Sequence, residues 1–298
     1  MQNPVVVESE VSGIQEVTYS YQGRVWRRFW RSPFTIAGIA GLLFLVLLSF
    51  VGPLLYRVNP LTPNLLHILQ PPNGQFPLGT DGLGRNELAR VMVGGQSALI
   101  VGFAAALTSM VIGVLYGMVS ALAPRWLDTL LMRIVDIILS IPSLFILLFL
   151  DAVFQPSVVI MVFILASTAW LGVARLVRGE VLSLKTRTYV EAAEALGAST
   201  WRIMIKYLFP NFLGTVLVAA TFGIADSILA IATLSFLGLG LPPPTPNWGA
   251  DLSTAMSYMY QNSWWLIYPP GICILIAELS INFVGDGLKQ AFDTRMGM

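Results

Sequence analysis

Long apolar stretches alternate with shorter polar connections along most of the chain. Six of these stretches are long enough to cross the hydrocarbon core of a bilayer, about 30 Å thick, because a helix rises about 1.5 Å per residue. They cover residues 34–56, 98–122, 127–150, 158–182, 212–239 and 266–288. In lipid the backbone N–H and C=O groups of a single spanning segment must hydrogen-bond to one another, and an α-helix allows this. The pattern therefore predicts an all-α membrane protein with six transmembrane helices.

The composition agrees with a chain that lies in a membrane. Hydrophobic residues make up 56% of the 298 positions and charged residues 11%, against about 25% charged residues in soluble domains. The formal net charge of +1 gives no indication of a nucleic-acid partner. One cysteine, Cys273, and one histidine, His67, argue against a disulfide framework and against a metal centre built from these ligands.

The basic residues predict the orientation of the chain. If the N-terminus is cytoplasmic, every Lys and Arg except Arg57, Arg85 and Arg90 falls in a cytoplasmic segment or at a cytoplasmic span end. This asymmetry follows the positive-inside rule and places both termini in the cytoplasm. The predicted order is a cytoplasmic tail (1–33), a first transmembrane helix (34–56), an external loop (57–97), a five-helix core (98–288) with a cytoplasmic loop at 188–210, and a cytoplasmic tail (289–298).

The cytoplasmic loop begins with a short amphipathic pattern. Tyr189, Ala192, Ala193 and Leu196 recur at i, i+3, i+4 and i+7 and predict one narrow face of a helix. Gly197 is expected to end that helix, because glycine readily adopts the left-handed conformation found at helix C-termini.

A second short helix is predicted directly after this turn. Ser199 or Thr200 is suited to cap it. Its apolar positions repeat the same spacing, at Trp201, Met204, Ile205 and Leu208. Pro210 is expected to close the unit and to begin the return into the membrane.

Two interpretations of this loop are open. An amphipathic segment can lie on lipid headgroups, or it can dock against another protein. Alanines make a poor membrane-burial face, and anionic lipid repels Glu191 and Glu194. A face of small residues instead permits close approach of a partner, which favours a protein-docking loop.

The loop resembles the EAA loop of bacterial ABC importer permeases. The matching residues are Glu191, Ala192, Ala193, Gly197 and the Leu208-Phe209-Pro210 end, where Phe209 replaces the usual Leu. The resemblance implies that this loop is the coupling helix that sits in a cleft on the ATP-hydrolysing subunit. Trp201 and Pro210 are expected to belong to the same coupling unit.

Three further stretches resemble the peptide and nickel permeases of that family. Residues 77–90 read PLGTDGLGRNELAR, residues 234–249 read LSFLGLGLPPPTPNWG, and residues 282–288 with Asp293 match a C-terminal segment. Asn86 and Ala89 stand where these permeases usually have Asp and Ser. The chain is thus similar to the second membrane subunit of dipeptide, oligopeptide, nickel or glutathione importers.

This resemblance implies a type I ABC importer permease fold in a multi-pass protein of the cell (inner) membrane. The implied partners are a homologous permease subunit, two ATP-binding subunits, an external substrate-binding protein and membrane lipid. ATP and Mg would be held by the ATP-binding subunits, so no cofactor or catalytic residue is expected here. No G-x-x-x-x-G-K-[ST] phosphate loop occurs in the sequence. The expected activity is import of di- or oligopeptides, with nickel chelates or glutathione as alternatives.

Two acidic residues fall near the middle of apolar spans, where a charge costs at least about 2.5 kcal/mol. Asp226 and Glu278 are therefore candidates to line a translocation path for the amino group of a peptide or for a cation. Equally, they can pair with hydroxyls or with a neighbouring subunit. If they bound protons or sodium ions, the chain would be an ion-coupled secondary transporter, which is the alternative from another class.

Asp81 and Arg85 mark the motif in the predicted external loop. Four residues apart, they can pair if the residues between them turn as a helix. A solvated ion pair and a surface that receives a substrate-delivering protein both fit this pattern. The proline-rich stretch 241–249 is expected to be rigid, either as a plug above the path or as a plain stiffened loop.

Overall fold

The computed structural model describes residues 29–154 and 157–292. Within those ranges the chain is mostly helical, the longest connection covers residues 56–86, and the one β contact is a bridge between Thr80 and Asn86. The prediction of an all-α membrane protein is confirmed. The predicted tails 1–33 and 289–298 fall largely outside the described residues, as does Asp293. The helices are α1 (Pro33–Leu55), α2 (Glu87–Leu122), α3 (Arg125–Leu139), α4 (Ser143–Val153), α5 (Val158–Lys185), α6 (Thr188–Ala195), α7 (Thr200–Phe236), α8 (Trp248–Met256) and α9 (Trp264–Phe292).

Six crossings account for the path of the described chain. α1, α2, α5, α7 and α9 are each long and apolar enough to span a membrane, and α3 with α4 passes the same test as a bent pair. Gly117 of α2 faces Ala174 of α5. Further back along both helices, Val101 shares a hydrophobic cluster with Met161. α2 and α5 are therefore parallel, so α3 and α4 must carry the chain back across the bundle between them.

The bundle has two ends, a loop end and an α6 end. The loop end is where α2 begins, and it carries residues 57–86 and 237–263. The α6 end is the opposite end, where α2 and α5 finish and α6 lies. Pro33 and Phe292 both lie at the α6 end, because α1 and α9 are antiparallel, with Thr35 beside Gly287 and Leu45 in one cluster with Ala277.

The third span differs from the single helix predicted over residues 127–150. α3 and α4 are bent by 82° at a short break. Pro142 explains the break, because it has no N–H to donate and disfavours a helical conformation at Ile141. The polar groups exposed there are satisfied locally: the Ser140 N–H donates to the Asp136 carbonyl at 3.0 Å and the Ser140 hydroxyl to the Ile137 carbonyl at 2.6 Å.

The second span begins earlier than hydropathy indicated. α2 starts at Glu87, so residues 87–97 belong to a helix rather than to the external loop predicted over residues 57–97. Asn86 caps this helix, since its side-chain oxygen accepts the Ala89 N–H at 3.0 Å. Hydropathy missed the first turns because they carry Glu87 and Arg90, both of which are buried in the protein.

Two helices pass through a proline by means of a π turn. In α1 the turn Leu47–Val51 precedes Pro53, and in α7 the turn Met204–Leu208 precedes Pro210. The expectation that Pro210 closes the coupling unit is therefore wrong, because α7 continues through it to Phe236. Proline is tolerated there since a π turn bonds i to i+5 and moves the carbonyl that would otherwise meet the proline ring.

Small residues bring the long helices close together. A Cβ built on Gly38 of α1 would lie 2.6 Å from the Ser280 carbonyl oxygen of α9. A Cβ on Gly117 of α2 would lie 2.5 Å from the Ala174 carbonyl oxygen of α5. Close backbone approach at small residues is the usual way in which membrane helices gain packing contacts.

Gly117→Ala is expected to lower the free energy of unfolding by about 1–3 kcal/mol, because the added methyl carbon overpacks the α2–α5 contact. Gly172→Ala in α5 is the matched control, since nothing lies within 4 Å of its added methyl. This control is expected to be neutral or stabilising by up to about 1 kcal/mol. Unfolding in detergent, followed by circular dichroism, measures both, and equal stability of the two variants would contradict this packing.

Candidate functional site

The segment 188–210 forms a short helix, a sharp turn and the beginning of a long helix. α6 ends where Gly197 adopts a φ of +79°, and the Gly197 N–H donates to the Glu194 carbonyl at 2.9 Å. This is the left-handed helix end that glycine favours. Ser199 then caps α7, because its hydroxyl accepts the Arg202 N–H at 3.4 Å.

The helices on either side of this turn bury one side and expose the other. The buried side chains are Val190, Ala193, Ile203, Met204 and Leu208. Glu191, Ala192 and Tyr189 are exposed, and Leu196 and Trp201 are 89% and 71% exposed. The predicted face is therefore corrected at Ala193, which packs into the bundle together with Val190, three residues before it.

A cavity of about 680 Å³ lies between α2, the α3–α4 break, α5 and α7, and is called here the inner cavity. Alanine, glycine and apolar side chains form most of its wall. Its hydroxyl-bearing residues are Ser109, Ser143, Thr168 and Ser227. Asp226 is the one ionisable side chain among the described residues that line it.

A second cavity, of about 930 Å³, extends from the inner cavity towards the α6 end. Leu176, Ala219 and Phe222 line both, so the two cavities adjoin. The second cavity is more polar, with Arg175 and Lys289 in its wall. Together the cavities form one path along α5 and α7, from the middle of the bundle to the α6 end.

The two acidic residues that the sequence predicts on a translocation path have different surroundings in the structure. Asp226 of α7 lines the inner cavity and makes no hydrogen bond or salt bridge with another described residue. Glu278 of α9 lies near enough for its charge to interact with that of Asp226. It is not among the residues lining the inner cavity, and its Oε2 is buried without a hydrogen-bond partner in the described chain. Asp226 therefore remains the candidate for contact with a transported molecule.

At the loop end, Asp81 and Arg85 pair across a tight turn rather than along a helix. The Arg85 Nε donates to the Asp81 Oδ2 at 2.6 Å, and the Leu83 and Arg85 backbone N–H groups donate to the Asp81 Oδ1 at 2.9 and 2.8 Å. The Thr80–Asn86 bridge closes the turn. Asp81 is 4% exposed, so this ion pair is buried rather than solvated.

A second buried ion pair joins this turn to α8. The Arg90 Nε donates to the Asp251 Oδ1 at 3.1 Å and lies 3.8 Å from the Asp81 Oδ2. Burial raises the pKa of the Asp251 carboxyl, and the positive charge of Arg90 acts in the opposite direction. Glu87 is buried beside these groups, yet no set of described His, Cys, Asp or Glu side chains is arranged to hold a metal ion. Sequence reasoning missed the Arg90–Asp251 pair because its members are far apart in the chain.

Two tryptophans tie the loop end to the helices, Trp248 by a bond to α2 and Trp265 of α9 by a bond to the loop before α2. The Trp248 indole N–H donates to the Val91 carbonyl at 2.8 Å, and the Trp265 indole N–H donates to the Thr80 carbonyl at 3.1 Å. Trp248 is fully buried at the end of the proline-rich stretch. The stretch is therefore anchored in the bundle by its final aromatic residue.

Two ion pairs tie α3 to α5, and sequence reasoning missed both. Arg178 binds the Asp128 carboxylate through two hydrogen bonds, each 2.6 Å long. Arg175 pairs with Asp136 one helical turn earlier in α5. Their partners could not be inferred from spacing, because each pair crosses between two helices.

Comparison with known proteins defines the class of this chain. Residues 98–298 match the family model described as binding-protein-dependent transport system inner membrane component. Residues 20–72 match the N-terminal TM domain of oligopeptide transport permease C. Because the first match covers more than half of the sequence, the chain belongs to the family of binding-protein-dependent transport system inner membrane components. The resemblance to ABC importer permeases, and with it the type I fold and the inner-membrane location, is confirmed.

Three relatives illustrate the likeness. The dipeptide transport system permease protein of Bacillus subtilis (strain 168) is 33% identical over 287 residues, which are 96% of this chain and 90% of the relative. The oligopeptide transport system permease protein of the same organism is 35% identical, covering 90% of this chain and 88% of its own length. The di/tripeptide transport system permease protein of Pseudomonas aeruginosa (strain UCBPP-PA14) is also 35% identical, over 91% of this chain and 92% of the relative.

The buried Arg90–Asp251 pair is expected to dominate the stability of the loop end. Arg90→Met should lower the free energy of unfolding by about 3–5 kcal/mol, because it leaves Asp251 as a buried, unpaired charge. Adding Asp251→Leu should recover much of this loss, since the orphaned carboxylate is then removed. A double-mutant cycle of unfolding free energies in detergent measures the coupling. Additive effects of the two substitutions would contradict the pair.

Proposed function

We propose that this chain is the permease subunit of an ATP-driven, binding-protein-dependent importer of di- or oligopeptides. The observation that carries the proposal is the path of two adjoining cavities, which leads through a bundle of this family to the α6 end. The relatives named for dipeptide, di/tripeptide and oligopeptide transport favour peptides over nickel chelates or glutathione. They also favour an importer subunit over an ion-coupled secondary transporter.

A homologous permease subunit would complete the path. Asp226 is both exposed and unpaired within the described chain. A carboxylate near the middle of a spanning helix is too costly to leave facing lipid. The side of α7 that carries Asp226 is therefore expected to face a partner permease or the water-filled path between the two subunits.

The turn around Gly197 is the proposed contact with one of two ATP-binding subunits. Its exposed groups combine large apolar side chains, Leu196 and Trp201, with the acidic Glu191. Exposed aromatic anchors of this kind carry much of the binding energy at protein interfaces. ATP and Mg would be bound by those subunits, so this chain acts as the membrane subunit and not as the ATPase.

The loop end is the proposed seat for an external substrate-binding protein, with the α6 end and both termini in the cytoplasm. The buried ion pairs of Asp81, Arg85, Arg90 and Asp251 support this role by holding the loops in one arrangement. A preorganised surface spends less free energy on ordering when a partner docks.

The proposal is tested by purifying the tagged chain from its native membrane in mild detergent and identifying its companions by mass spectrometry. A second permease and two ATP-binding subunits are expected. In liposomes, this complex should import a labelled dipeptide only with ATP on the cytoplasmic side and the binding protein outside. Import by this chain alone, driven by an ion gradient, would contradict the proposal.

Trp201→Ala is expected to lower peptide uptake and ATPase co-purification by tenfold or more, since loss of an interface tryptophan commonly costs at least about 2 kcal/mol. Trp126→Ala is the matched control, because Trp126 is 69% exposed at the same end but lies outside the turn. Gly197→Val and Glu191→Lys should likewise uncouple transport, by straining the turn and by reversing its charge. Wild-type uptake by the Trp201, Gly197 and Glu191 variants would rule out this coupling surface.

A further inference from the structure

The inner cavity carries a single uncompensated charge. Asp226 lines it, and none of the other described lining residues is ionisable. No arginine or lysine of the described chain forms a salt bridge with Asp226. By contrast, Arg175 and Arg178 near the α6 end are both paired with carboxylates of α3. A cation bound in the cavity would compensate the charge of Asp226 when the cavity is closed off from water.

The hydroxyl groups around the cavity also favour a hydrogen-bond donor. The Ser109 hydroxyl donates to the Ala106 carbonyl at 2.9 Å, and the Ser227 hydroxyl donates to the Gly223 carbonyl at 2.7 Å. Each of these two hydroxyls thus donates its hydrogen within its own helix, and its oxygen can still accept a hydrogen bond. Together with Asp226, these groups equip the wall with acceptors.

An anionic group would find no charged partner in the same place, because the free donors in the described lining are the Ser143 hydroxyl and the first N–H groups of α4. Backbone N–H groups in the middle of a helix are already used within it. No basic side chain belongs to the described lining. The cavity therefore distinguishes the two ends of a zwitterionic molecule, since it offers a carboxylate side chain to an ammonium group and only neutral donors at the start of α4 to a carboxylate.

The rest of the wall sets few demands on the shape of a ligand. Small residues recur around it, namely Ala106, Ala169, Gly172, Ala219 and Gly223. Its volume of about 680 Å³ lies within the range of about 300–1,000 Å³ that is usual for small-ligand sites. A fixed point of charge recognition beside a wide apolar space suits ligands that share one charged group and vary in their side chains.

We propose that the Asp226 carboxylate receives the α-ammonium group of a peptide in the inner cavity during translocation. This inference rests on the proposed function, because it assumes that peptides pass through the path. It goes beyond that function by assigning the polarity of the bound peptide and the residue that fixes it. Asp226 acts as a recognition residue, and the small-residue wall accommodates the adjoining side chain.

Zero-length cross-linking tests the contact directly. The complete transporter, with its ATP-binding subunits and binding protein, is supplied with ATP and a labelled dipeptide, and a carbodiimide is added during turnover. The carbodiimide joins a carboxylate to a primary amine that lies against it, forming an amide and converting itself to a urea. Mass spectrometry of digested protein is expected to locate the dipeptide on Asp226. The N-acetylated dipeptide has no free amine and should give no adduct on Asp226, although its own carboxylate can still be joined to a lysine such as Lys289.

Uptake measured on the same preparation separates this inference from the proposed function. Asp226→Asn should abolish the adduct and lower dipeptide uptake at limiting concentration about tenfold or more, the size expected for loss of a charge-assisted hydrogen bond. Asp226→Glu should retain most of the uptake. Glu278→Gln is the matched control, because it removes a neighbouring carboxylate that does not line the cavity.

The outcomes are distinct. Normal import by the Asp226→Asn variant would overturn the role of Asp226 while leaving the importer intact. An adduct found only on residues other than Asp226, and unchanged by this substitution, would do the same. Equal loss in Asp226→Asn and Glu278→Gln would assign the effect to the local membrane charge and would also overturn it. Failure of the wild-type complex to import any peptide would overturn the proposed function itself.

Discussion

The bilayer offers no hydrogen-bond partner to an exposed backbone group, and the rest of the structure depends on this constraint. Wherever a spanning helix is interrupted, the chain must satisfy the interruption within itself. Pro53 and Pro210 are each preceded by a π turn, so their helices continue. Pro142 instead ends α3, and the Ser140 hydroxyl and nearby carbonyls complete the hydrogen bonding of the break. In the described spans, the breaks at these prolines therefore occur where side chains or turn geometry can replace the lost bonds.

Buried charges need partners for the same reason, and two places in the structure differ in whether the chain supplies them. At the loop end, Asp81, Arg85, Arg90 and Asp251 are buried together and compensate one another, which holds several segments in one arrangement. In the middle of α7, Asp226 is left without a partner in the described chain. The first arrangement is suited to a rigid platform, and the second to a site that gains its partner from outside the chain. The same residue type thus supports structure at one end and is the proposed recognition group in the middle.

The continuity of α7 links the two parts of the proposed transport machinery. Trp201, in the exposed turn, and Asp226, in the inner cavity, lie on one helix, about 38 Å apart at about 1.5 Å per residue. Had Pro210 ended that helix, the turn and the cavity wall would belong to separate elements joined by a loop. Because the π turn carries the helix through the proline, the turn and the wall of the path belong to one continuous element. Two ion pairs join α3 to α5, and Arg175 of one pair lines the second cavity.

The sequence by itself determined the features that depend on local patterns. Apolar runs of sufficient length gave the spanning helices, and Gly197 gave the turn, because its left-handed conformation is a local property. The tertiary structure alone decided which residues meet. α6 packs with Val190 and Ala193 towards the bundle, so Ala193 is buried. Arg90 pairs with Asp251 because α8 packs beside the start of α2. Asp226 and Glu278 looked equivalent as acidic residues in apolar spans, yet only Asp226 lines the cavity. Periodicity fixes the direction of a side chain relative to its own helix, whereas its surroundings depend on how distant helices pack.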